Sequence, residues 1–217
     1  MLGGMSAAAG VVESVNVGVP RTVEINGHRI VTAIWKDPVH GRVPLRGVNL
    51  RGDDQADRTV HGGPDKAVYA YAAEDTEWWE GEVGAPLGPG AFGENLTVRG
   101  LPVSGAVIGE RWAVGSTLLE VAQPRLPCFK LGVRMNDPRF LRRFADAGRP
   151  GAYLRVIEEG DIGAGDAIDI VSVPEHGVTS ALVSRAILRE PDLLPAARQA
   201  PELAAELREW LGGRGGG

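Results

Sequence analysis

Residues 22–35 read T-V-E-I-N-G-H-R-I-V-T-A-I-W: two runs rich in β-branched and aromatic residues, Thr22–Ile25 and Arg29–Trp35, on either side of Asn26-Gly27. Asn-Gly is the commonest pair for a two-residue type I′ turn, because both central residues must reach positive φ. The stretch therefore reads as a β-hairpin. Short strand-like runs recur outward from it, at Val11–Val17, Ala67–Tyr71, Glu94–Val98, Arg111–Val114, Thr117–Gln123, Tyr153–Glu158 and Ala167–Val173. Only Asp75–Val83 and Pro138–Ala145 interrupt them as helix candidates, the second with Pro138 suited to the first helical position after Asp137. Many short strands joined by glycine-rich turns predict a mainly β fold, a closed or partly closed barrel with few short helices.

The pattern changes after Pro174. Thr179–Leu188, Pro191–Ala197 and Pro201–Leu211 read as three short helices, giving a barrel domain over residues 10–174 and a small helical subdomain over 175–212. In the last helix Leu203, Ala204, Leu207, Trp210 and Leu211 form one apolar face, suited to cover the barrel mouth or to pair with another subunit in a homodimer. Residues 178–214 carry five Arg and five acids, so no basic recognition face exists and nucleic acid is not an expected partner.

With 217 residues, 43% hydrophobic and 24% charged, the chain can bury a core and is not globally disordered. One cysteine excludes an internal disulfide framework, a tetrathiolate zinc site and an iron–sulfur cluster within one chain. No apolar run approaches about 18 residues, so no membrane helix is expected. The opening M-L-G-G-M-S-A-A-A-G lacks a basic segment and a long apolar segment, and a cytoplasmic location is expected.

Net charge is −5, yet residues 125–155 hold eight basic and two acidic side chains, leaving the remainder at −11. Concentrated positive charge in an acidic chain points to a local anionic ligand; for Arg139, Arg142 and Arg143 a solvated helix face is the better reading. Twenty Arg accompany three Lys, at positions 36, 66 and 130, and a lysine kept in so arginine-rich a chain suggests a site that needs a compact ammonium.

Three segments are candidates for chemistry. V-N-L-R-G-D-D-Q-A-D-R-T-V-H-G-G-P-D-K-A-V-Y-A-Y (48–71) gathers Arg51, Arg58, His61 and Lys66 among four aspartates and breaks at Gly62-Gly63, where backbone N–H groups can meet an anion. It reads otherwise as a tight polar turn, and lacks the spacing of a phosphate-binding P-loop. In Q-P-R-L-P-C-F-K-L (123–131) Cys128 lies between Arg125 and Lys130 on a proline-stiffened loop. Nearby cations favour the thiolate, a nucleophile and a soft metal ligand, whereas a lone cysteine elsewhere is usually a small buried hydrophobe. G-P-G-A-F-G-E-N-L-T (88–97) is a turn that presents Glu94 and Asn95 at the start of a strand. His28, His40, His61 and His176 are too scattered to suggest a zinc site.

These runs, G-D-D-Q-A-D-R-T-V-H-G-G-P-D-K-A-V-Y-A-Y, G-A-F-G-E-N-L-T, Q-P-R-L-P-C-F-K-L and then G-R-P-G-A-Y-L-R-V-I-E-E-G-D-I-G-A-G-D-A-I-D-I, resemble in order the MOSC domain, the fold of molybdenum cofactor sulfurase C-termini. Within that family the chain resembles the stand-alone YiiM type, in which a small helical domain follows the barrel. The resemblance implies a β-barrel that binds molybdenum cofactor (molybdopterin), with Cys128 as metal ligand or sulfur carrier. It implies that Arg125, Lys130, Lys66, Asn95 and His61 hold the cofactor's phosphate and pterin. Arg46, Arg58 and Arg155 are second-rank candidates for its anionic groups, and His61, as a residue type that titrates near neutral pH, is the expected proton donor. Related members reduce N-hydroxylated bases and amidoximes. The chain has no flavin or ferredoxin module, so electrons are expected from a separate flavin-type reductase. Two alternatives stay open: a carrier that delivers the cofactor without turnover, and a metal-free sulfur or group-transfer enzyme using Cys128.

Overall fold

The structure, a computed structural model, describes residues 8–25, 27–54 and 62–213. In chain order these form β1 (Gly10–Val17), β2 (Arg21–Ile25), β3 (His28–Thr32), β4 (Asp37–Val39), β5 (Val43–Arg46), β6 (Asn49–Leu50), β7 (Val68–Ala72) and α1 (Ala73–Val83). Then come β8 (Leu96–Arg99), β9 (Arg111–Val114), β10 (Thr117–Gln123), α2 (Phe129–Arg134), α3 (Phe140–Ala147), β11 (Ala152–Glu158), β12 (Gly160–Ile162) and β13 (Ala167–Ser172). Helices α4 (Ser180–Leu188), α5 (Leu194–Ala197) and α6 (Ala205–Gly213) close the described chain.

The expected hairpin is β2–β3, paired from Arg21↔Thr32 to Ile25↔His28 with Gly27 at φ 77°. It ends earlier than the periodicity predicts. The Thr32 hydroxyl accepts the N–H of Ile34 (3.2 Å), turning residues 33–35 out of the strand. The hairpin forms a sheet of its own, outside the barrel.

Seven strands close the barrel in the order β1-β8-β7-β11-β10-β9-β13 and back to β1. All neighbours are antiparallel except β7 and β8, which are parallel and joined through α1. Val12, Val15, Leu96, Val98, Trp112, Val114, Leu119, Val121, Leu154 and Ile168 fill the interior with no exposure to solvent. Val183 and Ala186 of α4, Ala197 of α5, Leu203 between the helices and Leu211 of α6 belong to this same cluster. The apolar face of the last helix is thus buried against its own barrel, where the Ala204 N–H donates to the Ala122 carbonyl (3.0 Å).

Strand β7 (V-Y-A-Y-A) is buried throughout because it has two cores to face. Successive side chains of a strand point to opposite faces. Val68, Ala70 and Ala72 enter the barrel, while Tyr69 and Tyr71 join Trp79, Phe92, Leu131, Phe140 and Phe144 in a second, aromatic cluster outside it. Tyr71 stacks on Phe92 at 4.4 Å between ring centroids, and the Trp79 indole N–H donates to the Tyr71 hydroxyl (3.0 Å). This cluster seats α2, α3 and the glycine-rich loop against the barrel wall.

Several expectations are corrected. Helix α2 was not anticipated; it has six residues and no side-chain cap, so it leaves little sequence signal, and it rests on close packing of Gly132 against Leu141. Helix α3 starts at Phe140, since the Asp137 carboxylate accepts the Arg139 N–H (2.8 Å) and holds Pro138 in the preceding turn. Pro201 does not open the last helix, which begins at Ala205. Short strands β4, β5, β6 and β12 also went unanticipated, being two to four residues long with no room for a periodic pattern.

Candidate active site

The aromatic cluster and the barrel wall meet at a concave cavity open to solvent on one side. Its floor is Tyr69 of β7 and Tyr153 of β11, whose rings lie 5.0 Å apart between centroids.

The glycine-rich loop docks against this floor because its glycines permit it. Gly90 and Gly93 have φ of 81° and 74°, and a Cβ on Gly90 would sit 2.3 Å from the Lys36 carbonyl oxygen. Inside the loop the buried Glu94 carboxylate accepts from the Gly90 N–H (2.6 Å), the Phe92 N–H (3.0 Å) and the Thr97 hydroxyl (2.9 Å). Burial pushes the Glu94 carboxyl up despite these bonds. Next to it, Asn95 is fully engaged. Its carbonyl oxygen accepts the Tyr69 N–H (3.1 Å), and its amide nitrogen donates to the Asn16 carbonyl (3.2 Å) and to Asp53 Oδ2 (2.9 Å). Asn95 lines the cavity as a brace.

Asp53 is the hub of that bracing. Besides Asn95 it accepts the Gly18 N–H (2.8 Å) and a short hydrogen bond from Lys36 Nζ, an ion pair shut away from water with Lys36 only 8% exposed. Burial pulls the Lys36 ammonium down from the ordinary lysine range, against the opposing pull of Asp53.

Arg125 enters from the end of β10 and is 6% exposed. Its guanidinium donates to the Phe92 carbonyl and lies over the Tyr69 ring at 5.0 Å. Burial works against its charge, but the surrounding phenols of Tyr69 and Tyr153 and the Cys128 thiol outweigh that and push it up, so it stays cationic. Among the described residues no carboxylate pairs with it. Three residues on, half-buried Cys128 occupies the position just before α2 and lines the same cavity, with half-buried Lys130 two residues further, which likewise has no acidic partner among the described residues. Lys66 arrives from the opposite wall on the turn Pro64–Lys66, its ammonium 3.1 Å from Glu206 of α6.

Five candidates from the sequence, Cys128, Arg125, Lys130, Lys66 and Asn95, therefore converge on one cavity. Arg46 and Arg155 are not among the lining residues. Arg46 lies on the barrel's outside, bonded to the Gly160 carbonyl and to Asp161 (3.1 Å). Arg155 ties Asp65 (2.8 Å) and Glu120 (3.0 Å) to the Glu202 carbonyl (2.9 Å), bracing the helices against the barrel. Their partners lie far away in sequence, which is why both looked like free cations. His61 and Arg58 fall outside the described residues. The basic window over 125–155 divides: Arg125 and Lys130 reach the cavity, while Arg143 pairs with Asp137 and Arg149 with Asp75. Lys36, Asp53, Tyr69 and Tyr153 were missed as site residues. The signal for Lys36 was the rarity of lysine, for all three lysines of the chain line this one cavity.

A barrel wall carrying a lone thiol, buried cations and a glycine-rich loop in this order defines a class, and the chain belongs to the MOSC domain family, whose model matches residues 57–169. It is 37% identical to YflK of Bacillus subtilis over 91% of this chain and 89% of that protein, and 35% identical to YiiM of Escherichia coli over 65% and 64%. A protein of Gibberella moniliformis named "Reductase" matches at 36% identity over 68% of this chain and 27% of its own length. The crystal structure of YiiM from Geobacillus stearothermophilus superposes with a TM-score of 0.78 at 31% identity, covering 94% of this chain and 98% of that one. Among the described residues no helix is long and apolar enough to cross a membrane.

Proposed function

We propose that this MOSC protein is a molybdenum-cofactor-binding oxidoreductase that reduces N-hydroxylated compounds with electrons from a separate flavin-type reductase. The observation that carries the reading is Arg125: a guanidinium buried without an acidic partner among the described residues, in the same cavity as the only thiol of the chain. An uncompensated buried cation is costly, and the cost is recovered when an anionic ligand fills the cavity.

The residues present fit the group. Arg125, with Lys130 and Lys66 at the rim, would hold phosphate oxygens, and Cys128 would offer a soft thiolate to the metal. When bound, the cofactor supplies two-electron chemistry at a metal centre. The protein's own part is to orient and to exclude water. The Tyr69 and Tyr153 rings form an apolar floor for a planar substrate, and Asn95, Asp53 and Glu94 keep the surrounding loops in register. The match to a protein named "Reductase" supports the reaction class.

The test is molybdenum and pterin content of purified protein, wild type against Cys128→Ala, together with reduction of an amidoxime by dithionite-reduced viologen. The expected result is metal and pterin in the wild type, metal lost from Cys128→Ala, and turnover only in the former. Equal metal in both removes the ligand role; wild-type activity with no metal in either turns the protein into a metal-free transferase.

A further inference from the structure

We infer that Lys36 is the acid that protonates the oxygen leaving the substrate, an assignment that rests on the reductase function proposed above. Lys36 follows the turn that Thr32 makes at the end of β3, so its side chain is carried into the cavity that holds Cys128 and Arg125. An ammonium has three N–H donors. Asp53 takes one, and among the described residues the other two have no partner. Donors left unsatisfied in a buried site are costly unless a ligand meets them. Asp53 is itself fixed by the Gly18 N–H and the Asn95 amide, so the direction of the Lys36 side chain is set before any ligand arrives.

The other groups in the cavity are poorer acids or are otherwise occupied. Arg125 does not release a proton in proteins. The Tyr69 and Tyr153 phenols are pushed up by burial, and the Tyr69 hydroxyl already donates to the Pro150 carbonyl (2.9 Å). Lys66 is held by Glu206, and half-buried Lys130 has no carboxylate among the described residues to fix its direction. Asp53 serves Lys36, Asp54 has a partner of its own, and Cys128 is the ligand. Burial lowers the Lys36 ammonium and the nearby Arg125 charge acts with it, while Asp53 and Glu94 pull the other way. An ammonium lowered by burial releases its proton more readily than an ordinary lysine, as a general acid must.

The balance is R–NH–OH + 2e⁻ + 2H⁺ → R–NH₂ + H₂O. The two electrons come from the flavin-type reductase and the N–O bond breaks. One proton passes from Lys36 Nζ to the departing oxygen, which leaves as water, and the second comes from solvent to the nitrogen. The neutral Lys36 amine is then recharged by solvent.

Three lysines make a direct test practical. Protein labelled with ¹³C at the lysine ε carbons gives three signals, and the one missing from Lys36→Arg belongs to Lys36. It is expected to titrate below the ~10.4 of an ordinary lysine and to move lower still in Asp53→Asn, which removes the partner that raises it. With amidoxime as substrate, kcat/KM is expected to fall as pH rises through that same titration. Lys36→Arg is expected to keep its cofactor, lose about 10²–10⁴-fold in rate and lose that fall. A Lys36 signal titrating at or above the ordinary value overturns the assignment. So does Lys36→Arg with an unchanged rate and pH profile. A cofactor-loaded wild type that turns over no N-hydroxylated substrate at any pH overturns the reductase reading instead, and this assignment with it.

Discussion

Replacing Arg125 by Met separates a residue kept for a ligand from one kept for the fold. The substitution removes a hydrogen bond from a charged donor to the Phe92 carbonyl, worth about 1.5–3 kcal/mol, and a cation–π contact with Tyr69, worth about 0.5–2 kcal/mol. Against that loss it removes the penalty of holding a charge out of water, several kcal/mol for a buried ion without a partner. The opposing contributions nearly cancel. The ligand-free protein should therefore change by no more than about 2 kcal/mol, below the roughly 3–5 kcal/mol that follows when one member of a buried ion pair is deleted. Anion binding has no such cancellation. Truncating a buried, hydrogen-bonded cation costs about 2–5 kcal/mol, a factor of roughly 30 to several thousand. Urea unfolding of the ligand-free variant gives the first number, and calorimetric titration with inorganic pyrophosphate gives the second. Destabilisation beyond about 3 kcal/mol, or pyrophosphate affinity equal to wild type, refutes the argument that this guanidinium awaits an anion.

Asp53→Asn strips Lys36 of its only ionic partner and should cost about 3–5 kcal/mol in urea unfolding. Adding Lys36→Met should restore a large part of it, and a double variant no more stable than the single one shows that the pair is not coupled. Gly90→Ala places a Cβ against the Lys36 carbonyl at a φ of 81° and should cost about 1–3 kcal/mol in thermal unfolding. A Tm equal to wild type counts against the tight docking of this loop. Glu94 carries a pH signature. Burial raises its folded pKa above the ordinary glutamate value of 4.5, so the folded state binds a proton that the unfolded state has lost. Stability should then fall as pH rises from about that value through the folded pKa. Glu94→Gln should flatten the fall, and a wild-type minus variant difference constant with pH removes the effect.

Local chemistry made much of the fold legible. The β9 and β10 strands span the predicted Arg111–Val114 and Thr117–Gln123, and β2 pairs with β3 as the predicted hairpin. Elements held by tertiary contact alone left no trace, α2 above all, since six residues without a cap cannot announce themselves. In the site, residue type showed which groups could bind an anion but not which were already neutralised. Arg125 and Arg155 look alike in sequence. One is opposed by a carbonyl and a ring, the other by Glu120, 35 positions earlier, and Asp65, 90 positions earlier. The composition signal was better than the motif signal here, because lysine was scarce enough for each one to mean something.

The bond between Lys66 and Glu206 spans 140 positions of the chain. During synthesis the barrel strands emerge first, and at that stage the cavity wall carries the lysine without its α6 carboxylate. The nascent pocket is accordingly more electropositive than the finished one and a stickier trap for stray polyanions. The last helix settles that electrostatic debt only when it docks, so it serves as a final quality mark on the barrel it covers.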